Sequence, residues 1–168
     1  FLVVRMIDAV SDPLMGMIVD NTRSRFGKFR PWILLGTAIN SLALLALFSA
    51  HLFSGSQLLL LVTVTYIVWG LTYTIMDIPF WSMVPALSAN REERERLVFW
   101  PRLFASIAWT IVGTYGLASI AFLGEGGEGR GFLLLSGLII VAFLASALIT
   151  STQVKERVAA QVTSERFS

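Results

Sequence analysis

Apolar positions along the 168 residues gather into five long blocks, 1–19, 32–50, 58–87, 97–123 and 132–149, separated by short polar stretches. As a helix rising about 1.5 Å per residue, each block is long enough to cross a hydrocarbon core of about 30 Å. None alternates apolar and polar residues as a half-buried strand does, so the pattern predicts an all-α membrane protein with five transmembrane helices. The second and fifth blocks carry no charge, the third carries only Asp77 and the fourth only Arg102. The first is different, because Arg5, Asp8 and Asp12 interrupt it.

Composition agrees with the blocks. The chain is 55% hydrophobic and 14% charged, with a mean hydropathy of +0.73, outside the range of soluble domains. The absence of cysteine excludes a disulfide framework and thiolate metal sites. Early charges exclude a cleavable signal peptide. The chain begins with Phe1, inside an apolar run, which predicts a fragment of a longer protein. No internal repeat is visible in this window. No nucleophile motif, metal-ligand cluster or histidine beside the acids is visible, so neither an enzyme nor a bound cofactor is expected. The lipid bilayer is the expected partner and nucleic acid is not.

The connecting stretches set an orientation. Arg23, Arg25, Lys28, Arg30, Arg91, Arg94, Arg96, Lys155 and Arg157 fall on one side, against Arg130 on the other. The positive-inside bias makes the first side cytoplasmic, so the chain begins outside and ends inside. "NREERER" reads as a solvated charged loop, in which Arg94 and Glu95 can join ion pairs. His51 reads as a lone exposed histidine, and the glycine-rich 124–131 as a tight outer turn. In 150–168, Val154, Val158 and Val162 are spaced i, i+4, i+8, a faint pattern for a helix on the inner face.

Candidate chemistry lies where charge meets the membrane. Arg5, Asp8 and Asp12, at i, i+3 and i+7, share one helical face. If that helix ends near Asp20, Asp12 lies about 12 Å and Asp8 about 18 Å from its end. If the third helix ends near Leu87, Asp77 lies about 15 Å in. An uncompensated carboxylate at that depth costs about 2.5–3.5 kcal/mol, so such groups are held by a cation, a proton or a partner. Pro13 and Pro79 lack N–H groups and free the Ala9 and Ile75 carbonyls beside these acids. With hydroxyls from Ser11 or Thr74, the oxygens suit a hard monovalent cation such as Na⁺. A buried Arg5–Asp8 ion pair that merely locks helices is the competing reading. Tyr73, Thr74, Asp77 and Trp81, at i, i+1, i+4 and i+8, read as one polar pocket wall. An indole can lie against a pyranose, a carboxylate can accept two hydroxyl hydrogens, and Arg102 can donate a fork of hydrogen bonds. Trp81 alone fits an interfacial anchor equally well.

"RMIDAVSDPLMGMIVDNTRSRFGKFRPW", "YTIMDIPFWSMVP" and "WPRLFAS" resemble the melibiose carrier family, the glycoside–pentoside–hexuronide cation symporters of the major facilitator superfamily. The resemblance covers the whole chain as helices two to six and the start of the middle cytoplasmic loop, leaving the first helix and a second six-helix bundle as missing partners. It implies a carrier in the bacterial inner membrane that couples a galactoside such as melibiose to Na⁺, Li⁺ or H⁺ by alternating access. It implies that Asp8, Asp12 and Thr74 serve the cation site, where Na⁺ or Li⁺ would bind, with Ser11 standing where the family has asparagine. Asp77, Trp81 and Arg102 then serve the sugar site, with Tyr73 beside them. "GMIVDNTRSRFGKFR" resembles the superfamily's cytoplasmic gate, with Gly16 for close packing, Asp20 at the helix end and Arg23, Arg25 and Lys28 after it, joined by Arg94. A bundle that senses or binds without transporting is the alternative function.

Overall fold

The computed structural model describes residues 2–125 and 127–154. Among these, five α-helices follow one another: α1 Leu2–Asn21, α2 Arg30–Phe48, α3 Ser56–Leu87, α4 Arg91–Gly124 and α5 Glu128–Gln153. A short 3₁₀ turn, Ser49–Leu52, extends α2. No strand occurs among the described residues, and the all-α expectation holds. Helices α2 to α5 are long and apolar enough to cross a membrane. With 20 residues, α1 has the length, but Arg5, Asp8 and Asp12 dilute its apolar run.

Two connections differ from the sequence reading. "NREERER" is not a loop: Asn90 caps α4 by accepting a hydrogen bond from the Glu92 amide at 3.0 Å, and Arg91–Arg96 form its first turns. Glu92 and Glu93 sit in that first turn, where carboxylates offset the positive end of the helix dipole. The outer turn is also shorter than 124–131, because α4 runs to Gly124 and α5 starts at Glu128. Glu125 makes the turn in the left-handed region, at φ 47°. At the start of α2, Pro31 occupies the first turn, where its missing N–H leaves no helical bond unmade.

Helix α2 lies at the centre, packed on both α3 and α5, while α1 leans on α3 and α4 on α5. Contact between α3 and α4 is slight, which leaves space between them. A buried apolar cluster joins Met15 and Val19 of α1, Phe29 just before α2, Ile33 of α2, Met83 of α3 and Ala147 of α5. This cluster lies toward the end where Arg30 of α2 donates a hydrogen bond to the Val154 carbonyl after α5. At the other end a Cβ on Gly131 would fall 2.1 Å from the Ile120 carbonyl oxygen, so α4 and α5 touch backbone to backbone there. His51 is exposed but not alone. Its ring lies against Gly129 and its Nδ1 is 3.1 Å from the Phe48 carbonyl. Much of α4 faces outward, including Trp109 at 81% and Phe122 at 84% exposure, as expected of a surface meant for lipid or further helices. Lys155, Arg157, Val158 and Val162 lie outside the described residues.

Candidate functional site

Two neighbouring clusters form around the middle of α3. In the first, Thr74 Oγ1 donates to Asp12 Oδ1 across the α1–α3 interface at 3.2 Å. Thr74 is buried and Asp12 half-buried. Asp8, one turn earlier on α1, is half-buried as well. Ser11 turns its hydroxyl back onto its own helix and donates to the Asp8 carbonyl at 3.3 Å. A carboxylate offers about four acceptor positions, and the Thr74 hydroxyl engages one on Asp12. The remaining lone pairs, with the carbonyl that Pro13 releases, form the kind of oxygen-rich corner that suits a small monovalent cation.

In the second cluster, Trp81 Nε1 donates to Asp77 Oδ1 at 3.1 Å, one turn along α3. The Arg102 guanidinium of α4 lies over the Trp81 ring, 5.3 Å from its centroid, and Phe80 meets the same indole edge-on at 5.3 Å. A cavity of about 290 Å³ opens here, walled by Tyr73, Asp77 and Trp81 of α3 together with side chains from α2, α4 and α5. That is near the lower end of small-molecule pockets, roughly 300–1,000 Å³. Its wall offers a carboxylate, a phenol and an aromatic plane, the set that recognises a hydroxyl-rich ring. Arg102, expected in the same wall, is not among the residues lining this cavity; it lines a shallower groove of about 790 Å³ along the first half of α4, together with Arg94 and Glu95.

The expected single polar wall on α3 therefore divides. Tyr73, Asp77 and Trp81 face the cavity, whereas Thr74 turns to α1. A helix rotates about 100° per residue, so neighbours such as Tyr73 and Thr74 serve different sides. The gate stretch is brought together in part. Lys28 pairs with Asp20 at 2.7 Å, and Trp32 Nε1 donates to Thr22 Oγ1 at 2.9 Å, fastening the turn onto α2. Arg23 and Arg25 are exposed. A Cβ on Gly16 would meet nothing within 4 Å, so the close packing expected of this glycine is not made by the described residues. Glu95 pairs within α4 with Arg91, at 3.0 Å. The Arg5 side chain lies outside what the structure describes. Sequence reasoning missed the α5 wall of the cavity, Phe143, Ser146 and Thr150. Their i, i+3, i+7 spacing marks one face, but α5 is apolar nearly all round and hides that periodicity.

Comparison with known proteins follows the same lines. A family model described as MFS/sugar transport protein matches residues 1–167. An uncharacterized symporter, YnaJ, of Bacillus subtilis is 33% identical over 99% of this chain and 36% of its own length. A putative glycoside/cation symporter, YagG, of Escherichia coli is 34% identical over 84% of the chain and 32% of its own length. A lactose permease of Lactobacillus helveticus is 32% identical over 93% of the chain and 26% of its own length. The chain thus spans about a third of the length of the curated relatives it matches.

Proposed function

Because the chain belongs to the MFS/sugar transport protein family, we propose that it forms part of the first bundle of a cation-coupled sugar symporter in a bacterial inner membrane. It is a multi-pass membrane protein, and its relatives are transporters by name rather than enzymes. In the proposed carrier a galactoside such as melibiose moves with Na⁺, Li⁺ or H⁺ by alternating access. Helices α1 to α5 belong to that bundle, and α5 runs to Gln153, past the boundary at 149 that hydropathy suggests. The basic end faces the cytoplasm, with the first residues outside and the last inside.

In this reading Asp8 and Asp12 hold the cation with help from Thr74. Asp77 and Tyr73 accept or donate to sugar hydroxyls, Trp81 carries the apolar face of the ring, and Arg102 donates from α4. Asp20 and Lys28, with Arg23, Arg25 and Arg94, contribute to the cytoplasmic gate. The observation that carries the reading is the Thr74–Asp12 hydrogen bond at 3.2 Å. Thr74 lies three residues from Asp77, so in this reading both ligands would order the same turn of α3. Ordering by the first ligand lowers the entropic cost of the second, which is positive coupling.

The test is sugar uptake by the complete carrier in proteoliposomes under imposed Na⁺, Li⁺ and proton gradients. Gradient-driven uptake is expected. Sugar binding without flux under any gradient would favour the sensor alternative instead. The chain alone should give no coupled flux, because alternating access needs two bundles rocking about a shared site.

A further inference from the structure

At Gly36, α2 comes directly against the backbone of α3. A Cβ there would lie 2.8 Å from the Met76 amide nitrogen, 2.9 Å from Met76 Cβ and 3.0 Å from the Ile75 carbonyl carbon. These atoms belong to the main chain or to the first side-chain carbon, so none can swing aside like the tip of a flexible side chain. Ile75 and Met76 are the two residues between Thr74, which reaches Asp12, and Asp77, which holds Trp81. The same turn carries a backbone weakness. Pro79 is fully buried and has no N–H, so the Ile75 carbonyl loses its helical donor. One turn outward, α2 grips α3 through side chains: Asn40 Nδ2 donates to the Trp69 carbonyl at 2.8 Å and to Thr72 Oγ1 at 3.0 Å. At 75–79 the support from α2 is direct backbone contact, and that contact exists only because position 36 has no side chain.

We infer that Gly36 is a positioning residue for both ligand sites. By letting α2 rest on the Ile75–Met76 peptide, it sets Thr74 against Asp12 on one flank and Asp77 with Trp81 opposite Arg102 on the other. The inference rests on the symporter reading above. A methyl group at position 36 must push this peptide away from α2. Thr74 then shifts relative to α1, and Asp77 and Trp81 shift together relative to α4. Both displacements pass through one peptide, so the link between cation and sugar binding is the property most exposed to the change.

The experiment is titration of melibiose onto the complete carrier with and without Na⁺, comparing the parent, Gly36→Ala and Asn40→Ala. Asn40 is a control on the same α2–α3 seam, one turn away, where it donates to the Trp69 carbonyl and to Thr72 Oγ1. Gly36→Ala should cut the Na⁺ enhancement of melibiose binding at least about fivefold. Asn40→Ala should lower thermal stability and keep the enhancement. If the parent itself shows no Na⁺ enhancement, the symporter reading falls and takes this inference with it. If the parent is enhanced and Gly36→Ala remains so to the same degree, only the role of Gly36 is overturned. Should Gly36→Ala fail to accumulate, Met76→Cys in this otherwise cysteine-free chain gives a second measure. Na⁺ and melibiose should each slow alkylation of that thiol, and a rate indifferent to both would overturn the inference.

Discussion

Helix α3 is flanked by two polar seams that solve the membrane problem in opposite ways. Toward α2 the polar groups are neutral, buried and closed on themselves. Thr37 and Ser41 donate to the carbonyls four residues back, each at 2.7 Å, and Asn40 bridges to Trp69 and Thr72. Toward α1 and α4 the polar groups include carboxylates and a guanidinium, half-buried or exposed. A neutral group that meets its partners inside the protein holds helices together. A charged group at a half-open interface is stabilised by exchangeable partners, which is what a cargo site requires. In the proposed carrier, the neutral polar side chains toward α2 hold the helices together, and the charged ones toward α1 and α4 handle the ligands.

The strongest attack on this contrast is Asp12→Asn, in the complete carrier. The amide keeps the size of the carboxylate and removes its charge, so cation enhancement of sugar binding, a factor of about 5–150 in coupled sites, should vanish while cation-free binding persists. Calorimetric titration with and without Na⁺ reads this directly, and retained enhancement would remove Asp12 from the cation site. Next in size is Asp77→Asn, which should weaken sugar binding roughly ten- to hundredfold, as expected for loss of a charge-assisted hydrogen bond. It should also reduce coupling. Trp81→Phe should weaken sugar binding by a smaller factor and leave coupling in place, because the stacking surface shrinks but the carboxylate remains. Equal effects of the two variants on coupling would place both residues on the same side of the contrast.

On the opposite flank, Asn40→Ala should cost about 0.6–1.7 kcal/mol, the range for hydrogen bonds between membrane helices. Its mark should be a lower melting temperature in detergent with ligand affinities nearly unchanged. Lost coupling at full thermal stability would break the division between the seams. The smallest effect is expected from Ser11→Asn. The Ser11 hydroxyl is turned onto the Asp8 carbonyl, whereas an amide can reach farther toward the carboxylates. Competition among Na⁺, Li⁺ and protons for sugar uptake should show a shift toward Na⁺, and an unchanged ranking would make Ser11 a bystander.

The helices were readable because apolar length and charge placement are one-dimensional signals. Their ends were less so, since hydropathy marks membrane depth and not where backbone hydrogen bonding stops. The first turns of α4 are polar but helical, and the sequence held the cue: Asn90 followed three residues later by Glu93 is a capping pattern. Within the site, the pairing of Asp77 with Trp81 followed from residue type and i, i+4 spacing. The split between Thr74 and Tyr73 did not, because which neighbour each face meets depends on how α1, α4 and α5 pack around α3. Gly16 and Gly36 make the same point. The sequence singles out Gly16 as a packing glycine and not Gly36, yet Gly16 faces open space and Gly36 touches a neighbouring backbone.

The backbone contact between Gly131 and Ile120 has a mechanical consequence. Helix α4 is fastened closely to α5 near its outer end, and its buried residues, Ile120 and Gly124, lie there. Arg102 sits 18 residues before Ile120, about 27 Å along the axis at 1.5 Å per residue. With that fulcrum, a tilt of only about 5° sweeps Arg102 through about 2.4 Å, enough to carry its guanidinium off the indole of Trp81. Side chains at the short end of the lever barely move, so a small rotation about the outer contact is magnified where the sugar would be held.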